Sequence, residues 1–311
     1  MESSVDSFVI PPTNDQLRII RDEINEDEDR SPHVENLLYT WINCQPHFPK
    51  KYDKRIIRTF LRSSKYDMER TKAKLECNFT VRNLYPDIFS GRSTNAADVV
   101  QALDTVIIVF LPKFTENGNK VSIYKLKDTD PSRYDVYAVT KLFFMMYDLT
   151  LTSQYPNAGE IAIFDGSGLS PNHFVTFLTI IKIVTPILRR AYGTRLKEIH
   201  ILNAPPLLEK ILSVIKPILH HKVKNAFNVH SSSRTLCDYF GKEILPSNYG
   251  GKCKSLEELM KVHWKILNNN EEWFLEQENM KITKTIPKKI DNNLYFKESD
   301  IQGSFRTLQI D

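Results

Sequence analysis

The sequence predicts an α/β protein: a mixed, mainly parallel sheet with helices packed on it, preceded by an all-helical N-terminal module. Three observations predict it. From Thr13 to about Tyr85 apolar residues recur only at helical spacing. After Gly91 short β-branched runs alternate with helical stretches, the order that assembles parallel strands through crossover helices. Val106–Leu111 and Val121–Leu126 flank a turn containing Asn117-Gly118, the signature of an antiparallel hairpin, which makes the sheet mixed.

The elements follow in order. Residues 1–12 read as a loose arm. Thr13 suits the cap of a helix carrying Leu17, Ile20 and Ile24, and Ser31-Pro32 opens another with Leu37, Leu38, Trp41 and Ile42. Lys54–Arg62 alternates basic and apolar residues, and Asp67 suits the cap of a helix through Met68, Leu75, Phe79 and Leu84. The basic face of Lys54, Arg55, Arg58 and Arg62 reads as solvated, with phosphate contact as the alternative. Tyr134–Tyr147 is apolar almost all round, which predicts a buried helix. Ile161–Phe164 is a buried strand ending in Asp165-Gly-Ser-Gly, Pro171–Ala191 a long helix, and Lys197–Leu202 and Ala226–His230 further strands. Ser255–Phe274 reads as one helix, and the tail from Lys281 is polar and poorly periodic. The expected divisions are a helical domain over 1–92, an α/β domain over 93–252, and a C-terminal helix and tail over 253–311.

With 41% hydrophobic and 26% charged residues the chain is globular rather than disordered. A net charge of +4 is too small to call for nucleic acid. The acidic run Asp22–Asp29 reads as a solvated face, while basic residues gather at 50–74 and 189–224. Cys44, Cys77, Cys237 and Cys253 stand far apart, so neither a disulfide framework nor a metal site is expected and a reducing compartment fits. There is no signal-peptide pattern, and no apolar run reaches the roughly 18 residues of a spanning helix. A cytoplasmic protein with at most a peripheral membrane role is expected.

Ala204–His230 is the segment on which function turns. Leu207, Leu208, Ile211, Leu212, Val214, Ile215, Ile218 and Leu219 occupy one arc of roughly 160° on a helix of 3.6 residues per turn. Glu209, Lys210, Ser213 and Lys216 take the other side, Pro217 weakens the last turn, and Lys222 and Lys224 follow. Two readings are open: an ordinary core-facing helix, or a helix that covers an apolar cavity and parts from it at a membrane.

Catalytic patterns are missing. Neither Ser167 nor Ser170 has the flanking glycines of a nucleophile elbow, and Pro171 stands where a dinucleotide loop needs its third glycine. His220, His221 and His230 make a poor metal set, because adjacent helical residues point about 100° apart. Asp165 reads as a turn-forming acceptor, with a catalytic acid as the alternative. No catalytic residue, metal or cofactor is expected, and an enzyme is disfavoured.

The segments GNKVSIYKL, DVYAVTKLFFMMYDL, IAIFDGSGLS, RLKEIHILNAP, IKPIL and ILPSNYGG, in this order behind a helical module, resemble the CRAL-TRIO (Sec14-like) lipid-binding family. The likeness covers roughly residues 50–275 and is strongest to the α-tocopherol transfer protein and cellular retinaldehyde-binding protein branch; the terminal GSFRTLQID resembles insect members. The resemblance implies a sheet that floors an apolar pocket and a mobile gate helix over its mouth, placed here on Pro206–Leu219. It implies pocket walls from Tyr137, Thr140, Phe144, Ile163, Phe164, Ile187 and Leu188, with Leu208, Ile211 and Ile215 on the gate; plain core packing is the alternative for each. Phe144 replaces a small hydroxyl residue of vitamin-E-binding relatives, which argues against α-tocopherol itself. Lys141 shares a helical stripe with Tyr134 and Asp148, which suggests solvent, whereas the resemblance turns it toward the pocket. A basic cleft for phosphoinositide headgroups maps onto Arg195, Lys197 and Lys222, with Ala226 where relatives have arginine and Lys216 and Lys224 nearby; scattered surface lysines are the alternative. The expected function is binding and transfer of one tocopherol, retinoid or carotenoid type lipid, released at phosphoinositide-bearing membranes. A lipid-sensing adaptor without net transfer is the rival. The sequence names no protein partner.

Overall fold

The computed structural model describes residues 5–206, 208–217 and 226–282. Its N-terminal module contains α1 (Asn14–Ile24), α2 (Ser31–Cys44), α3 (Lys54–Ser63), α4 (Met68–Leu84) and the single turn α5 (Pro86–Phe89). The start signals act as expected. Thr13 caps α1 through a reciprocal pair with Gln16, Pro32 sits in the first turn of α2, and the Asp67 carboxylate accepts from the Arg70 amide. Leu38, Ile42, Phe48, Ile57, Phe60 and Phe79 form the module's core, which continues into Phe144, Ile187 and Tyr192 of the α/β part. Module and sheet domain therefore share one apolar interior.

The acidic run and the basic face, read from sequence as separate solvated surfaces, meet at one pair, and most of their other charges find partners elsewhere in the fold. Arg62 Nε lies 2.9 Å from Glu26, and Glu23 takes Lys65 at 3.2 Å and Lys197 at 2.9 Å. Arg58 forms a two-point pair with Glu35 at 2.7 and 3.1 Å, and Arg55 folds back on Asp53. Ion pairing across loops, invisible to local pattern, removes α3 as a free phosphate surface.

The five strands lie in the order β1 (Val106–Phe110), β2 (Asn119–Leu126), β3 (Gly159–Asp165), β4 (Leu196–Leu202), β5 (Phe227–His230). β1 pairs antiparallel to β2, and the other neighbours are parallel. Gly118, at φ 71°, makes the hairpin turn that a residue with a Cβ resists. Because each parallel strand adds on the same side of its predecessor, right-handed crossovers place α7 (Val136–Thr150), α8 (Pro171–Pro186) and α9 (Leu208–Ile215) on one face. The other face packs under α10 (Ser233–Phe240) and the start of α11 (Leu256–Asn268) through Ile161, Ile163, Leu236, Phe240 and Leu256. α6 (Ala97–Thr105), which no sequence signal had marked, leans on α7.

Two helix limits differ from expectation. The 255–274 helix is interrupted at Asn269-Asn270, and α12 (Glu271–Gln277) follows. The helix from Pro171 regularises only to Pro186 and then widens into a π-helical turn, Ile187–Tyr192, closed by Gly193 in the left-handed region. Asp148 differs most. Placed on a solvent stripe by the helical wheel, it is fully buried: Arg92 and Arg82 lie 2.7 and 3.0 Å from Oδ2, and Tyr192 donates to Oδ1 at 2.8 Å.

Candidate functional site

Strand alternation divides the sheet into rows on the α7–α9 face. Parallel register sets Tyr124 beside Phe164, Phe164 beside Ile201, and Ile201 beside Val229. The row below is Ser122, Ala162, Ile199 and Phe227, and below that Lys120 stands beside Glu160. The top row is open in part: Phe164 is 40% and Val229 55% exposed, whereas Ile201 between them is buried. Phe177 and Val184 of α8, with Leu188 of the π-helical turn, lean on the module core, while Phe174, Leu178 and Ile181, four and three residues apart, form a second apolar stripe outside the packed clusters. Leu208, Ile211, Leu212 and Ile215 of α9 are all half-buried, with Glu209, Lys210 and Ser213 exposed. The sheet row, the second α8 stripe and the apolar side of α9 thus belong to one face of the sheet.

The sequence-predicted wall residues divide. Phe164 lies on the floor, stacked on Tyr124 with ring centroids 4.9 Å apart. Ile163, its chain neighbour, necessarily points to the opposite face and is fully buried there, so its placement in the wall is corrected. Phe144 is corrected likewise. It is fully buried between Phe89 and Tyr192 in the module core. The α7 ring that meets the floor is Phe143, 6.0 Å from Tyr124. Ile187 belongs to the module core, and Leu188 packs against it half-buried. Thr140 is buried and donates to the Val136 carbonyl at 2.7 Å, whereas Tyr137 is exposed. Lys141 is buried to 8% exposure, but on the α6 side: its ammonium lies 2.6 Å from Asp98, which corrects the pocket placement.

At the lower end of the sheet polar groups converge. The half-buried Glu160 carboxyl accepts from Tyr147 OH at 2.5 Å, and Tyr147 and Thr194 hydroxyls lie 2.8 Å apart. Burial pushes the Glu160 carboxyl upward and the Lys120 ammonium downward from their ordinary ranges. Arg195 is held by the carbonyls of Arg62 and Asn157 at 3.2 and 2.5 Å, and Lys197 by Glu23. Lys74, which no local signal marked, donates to the Ser63 carbonyl at 2.9 Å; burial and the Arg195 charge bring it down to about 8. Arg62, Lys74, Arg195 and Lys197 thus line the seam between module and sheet. Lys216 lies apart, 5.7 Å above the Phe227 ring. Lys222 and Lys224 lie outside the described residues, whereas Ala226 immediately precedes β5.

Asp165 resolves into a structural acceptor. Lys125, Ser167, Asn203 and Tyr249 all donate to it, at 2.6–3.0 Å, and these donors hold its carboxyl down at about 2. The bond from Asn203 ties the loop before α9 to the end of β3. Among the described residues no group of three or more metal-ligating side chains occurs, and no helix is long and apolar enough to cross a membrane.

Over 256 residues the chain is 27% identical to the alpha-tocopherol transfer protein-like proteins of Mus musculus and Homo sapiens, covering 80% of this chain and 74% of each relative. It is 24% identical over 252 residues to clavesin-2 of Rattus norvegicus, covering 78% of this chain and 74% of that one. A solved structure, the crystal structure of Sfh5, is 16% identical with a TM-score of 0.45, over 86% of this chain and 100% of that chain. Residues 26–99 match the model of the Pinta-like UBA domain, and residues 104–251 that of the CRAL/TRIO domain.

Proposed function

We propose that the chain binds one small hydrophobic lipid, of tocopherol, retinoid or carotenoid type, in the cleft between the sheet and α8–α9, and carries it between membranes. The observation that carries this reading is the Tyr124–Phe164–Ile201–Val229 row, an apolar row on which Phe164 and Val229 stay exposed beside the amphipathic α9. Exposed apolar surface is unfavourable by about 25 cal/mol per Å², and a lipid guest removes that cost. α9 acts as the gate: its apolar side faces the cleft in water and meets the bilayer when it opens. The likeness to proteins named alpha-tocopherol transfer protein-like supports the substrate class.

Release is assisted by phosphoinositide headgroups at the basic seam. Arg195 and Lys197 are held by weak partners, two carbonyls and one exposed carboxylate, that a phosphate can replace. The test is transfer of a fluorescent tocopherol from donor to acceptor vesicles with and without phosphatidylinositol bisphosphate. Transfer accelerated by the phosphoinositide, and lost in Arg195→Ala/Lys197→Ala, is expected. Binding without movement would replace the carrier with a lipid-sensing adaptor, and absence of binding would end both readings.

A further inference from the structure

The described residues between β4 and α9, 203–206, narrow the places where the helix can pivot. Pro205 and Pro206 have φ fixed by their rings, and Ala204, ahead of a proline, is pushed toward extended backbone. Asn203 is the softest joint of the four. It is exposed and stands at φ 50°, in the left-handed region that a residue with a Cβ enters only at a cost.

Two side-chain bonds hold it there. Asn203 Nδ2 donates to Asp165 Oδ1 at 2.8 Å and to Ser167 Oγ at 2.9 Å. Their anchor belongs to the sheet, not to α9. Asp165 is 3% exposed, and its other oxygen accepts from Lys125 of β2 and from Tyr249, each at 2.9 Å. The backbones meet as well. The Gly166 amide donates to the Leu202 carbonyl at 2.8 Å, and a Cβ on Gly166 would lie 2.6 Å from the Asn203 carbonyl oxygen and 3.0 Å from Pro205 Cδ. Glycine at 166 is thus what lets the loop lie against the end of β3. A glycine at 203 would take the left-handed backbone freely but could not reach Asp165; asparagine does both. The Pro205 carbonyl accepts from the Leu208 amide at 2.9 Å, so the bonded loop runs directly into α9.

We propose that Asn203 is the hinge latch of α9. Bonded to Asp165 and Ser167, it holds the helix against its face of the sheet; when those bonds break, it leaves the left-handed region and the helix swings away. The proposal rests on the reading of α9 as a gate, and its test separates the two. Hydrogen–deuterium exchange of the full chain, with no lipid added, reads the latch, and tocopherol transfer between vesicles reads the carrier. Asn203→Asp keeps the size of the side chain and its tolerance for left-handed backbone, but sets carboxylate against carboxylate. Asn203→Ala removes both bonds. Each variant is expected to speed exchange over residues 208–216 about tenfold, the worth of two hydrogen bonds to a partly exposed group, with β2 and β3 peptides and the urea midpoint unchanged. Exchange over 208–216 equal to wild type in both variants would overturn the latch. So would acceleration shared by β2 and β3 with a lowered urea midpoint, which makes Asn203 a general structural residue. Accelerated exchange in a chain that transfers no tocopherol supports the latch and removes the carrier; unchanged exchange in a chain that does transfer it removes the latch and leaves the carrier.

Discussion

Phe164 stacks on Tyr124 across the β2–β3 pair, ring centroids 4.9 Å apart and planes 21° from parallel, while Phe164 itself stays 40% exposed. A stacked aromatic pair left open on an inner sheet face is a surface prepared for a guest rather than a filled core. Substituting Phe164 is therefore expected to separate binding from stability. Phe164→Asp should lose co-purifying lipid yet shift the urea midpoint less than a core substitution, because its one ring contact is with Tyr124 and its side chain stays partly open. Its neighbour is the opposite case: Ile163→Ala, in the filled core under α10, should cost about 2–5 kcal/mol in urea denaturation and leave lipid occupancy unchanged. If both variants lost lipid and stability together, the partition of the two sheet faces would be wrong.

Asp148 is the electrostatic keystone between module and sheet domain, shared by Arg82, Arg92 and Tyr192 with no exposed member. Asp148→Asn leaves two guanidinium groups buried without a carboxylate, and a loss of about 3–5 kcal/mol is expected. Chemical denaturation at pH 7 measures it; a change below about 1 kcal/mol would contradict the buried-network description.

The fold should weaken in two separate pH windows. Burial holds His263 down at about 4 in the folded chain, against about 6.5 when unfolded. As pH falls from 6.5 toward 4 the unfolded chain takes up a proton that the fold refuses, so stability declines, by at most about 1.4 kcal/mol per pH unit per proton. His200 and His230, stacked and 2.7 Å apart, are displaced in the same direction by burial. Asp165, held at about 2, acts lower: its contribution is complete above about pH 4 and is lost as pH falls toward 2. Urea midpoints from pH 7 to 3 should show both slopes, with His263→Gln flattening the upper one and Asp165→Asn the lower one.

Lys141→Met should leave the affinities for acidic and neutral lipids in their original ratio, because the ammonium is spent on Asp98. Loss of that pair should cost about 1 kcal/mol or less. Selective loss of acidic lipid would return Lys141 to the cleft.

Much of the fold was legible because its signals are local. Thr13 and Asp67 name their helices by capping, Asn117-Gly118 names the hairpin, and the apolar stripe read over 207–219 names the amphipathic helix described over 208–215, with Leu207, Ile218 and Leu219 outside the described residues. What stayed hidden depends on distant partners. The wheel that sent Asp148 to solvent could not see Arg82 and Arg92, and nothing near Lys74 or Arg62 points to Arg195 across the seam. The floor was half legible. Alternation alone separates Ile163 from Phe164, but Tyr124, Ile201 and Val229 join Phe164 only through the parallel register, which pairs residues 28 to 40 positions apart. The pairing of the acidic run with α3 likewise needed the fold.

The most direct test of the central claim is native mass spectrometry of the purified full chain, followed by identification of the extracted lipid. A single hydrophobic molecule bound one to one in the wild type, and absent from Phe164→Asp, is the predicted result. A wild-type chain that carries no lipid and takes up none from tocopherol-loaded or retinoid-loaded vesicles would contradict the account.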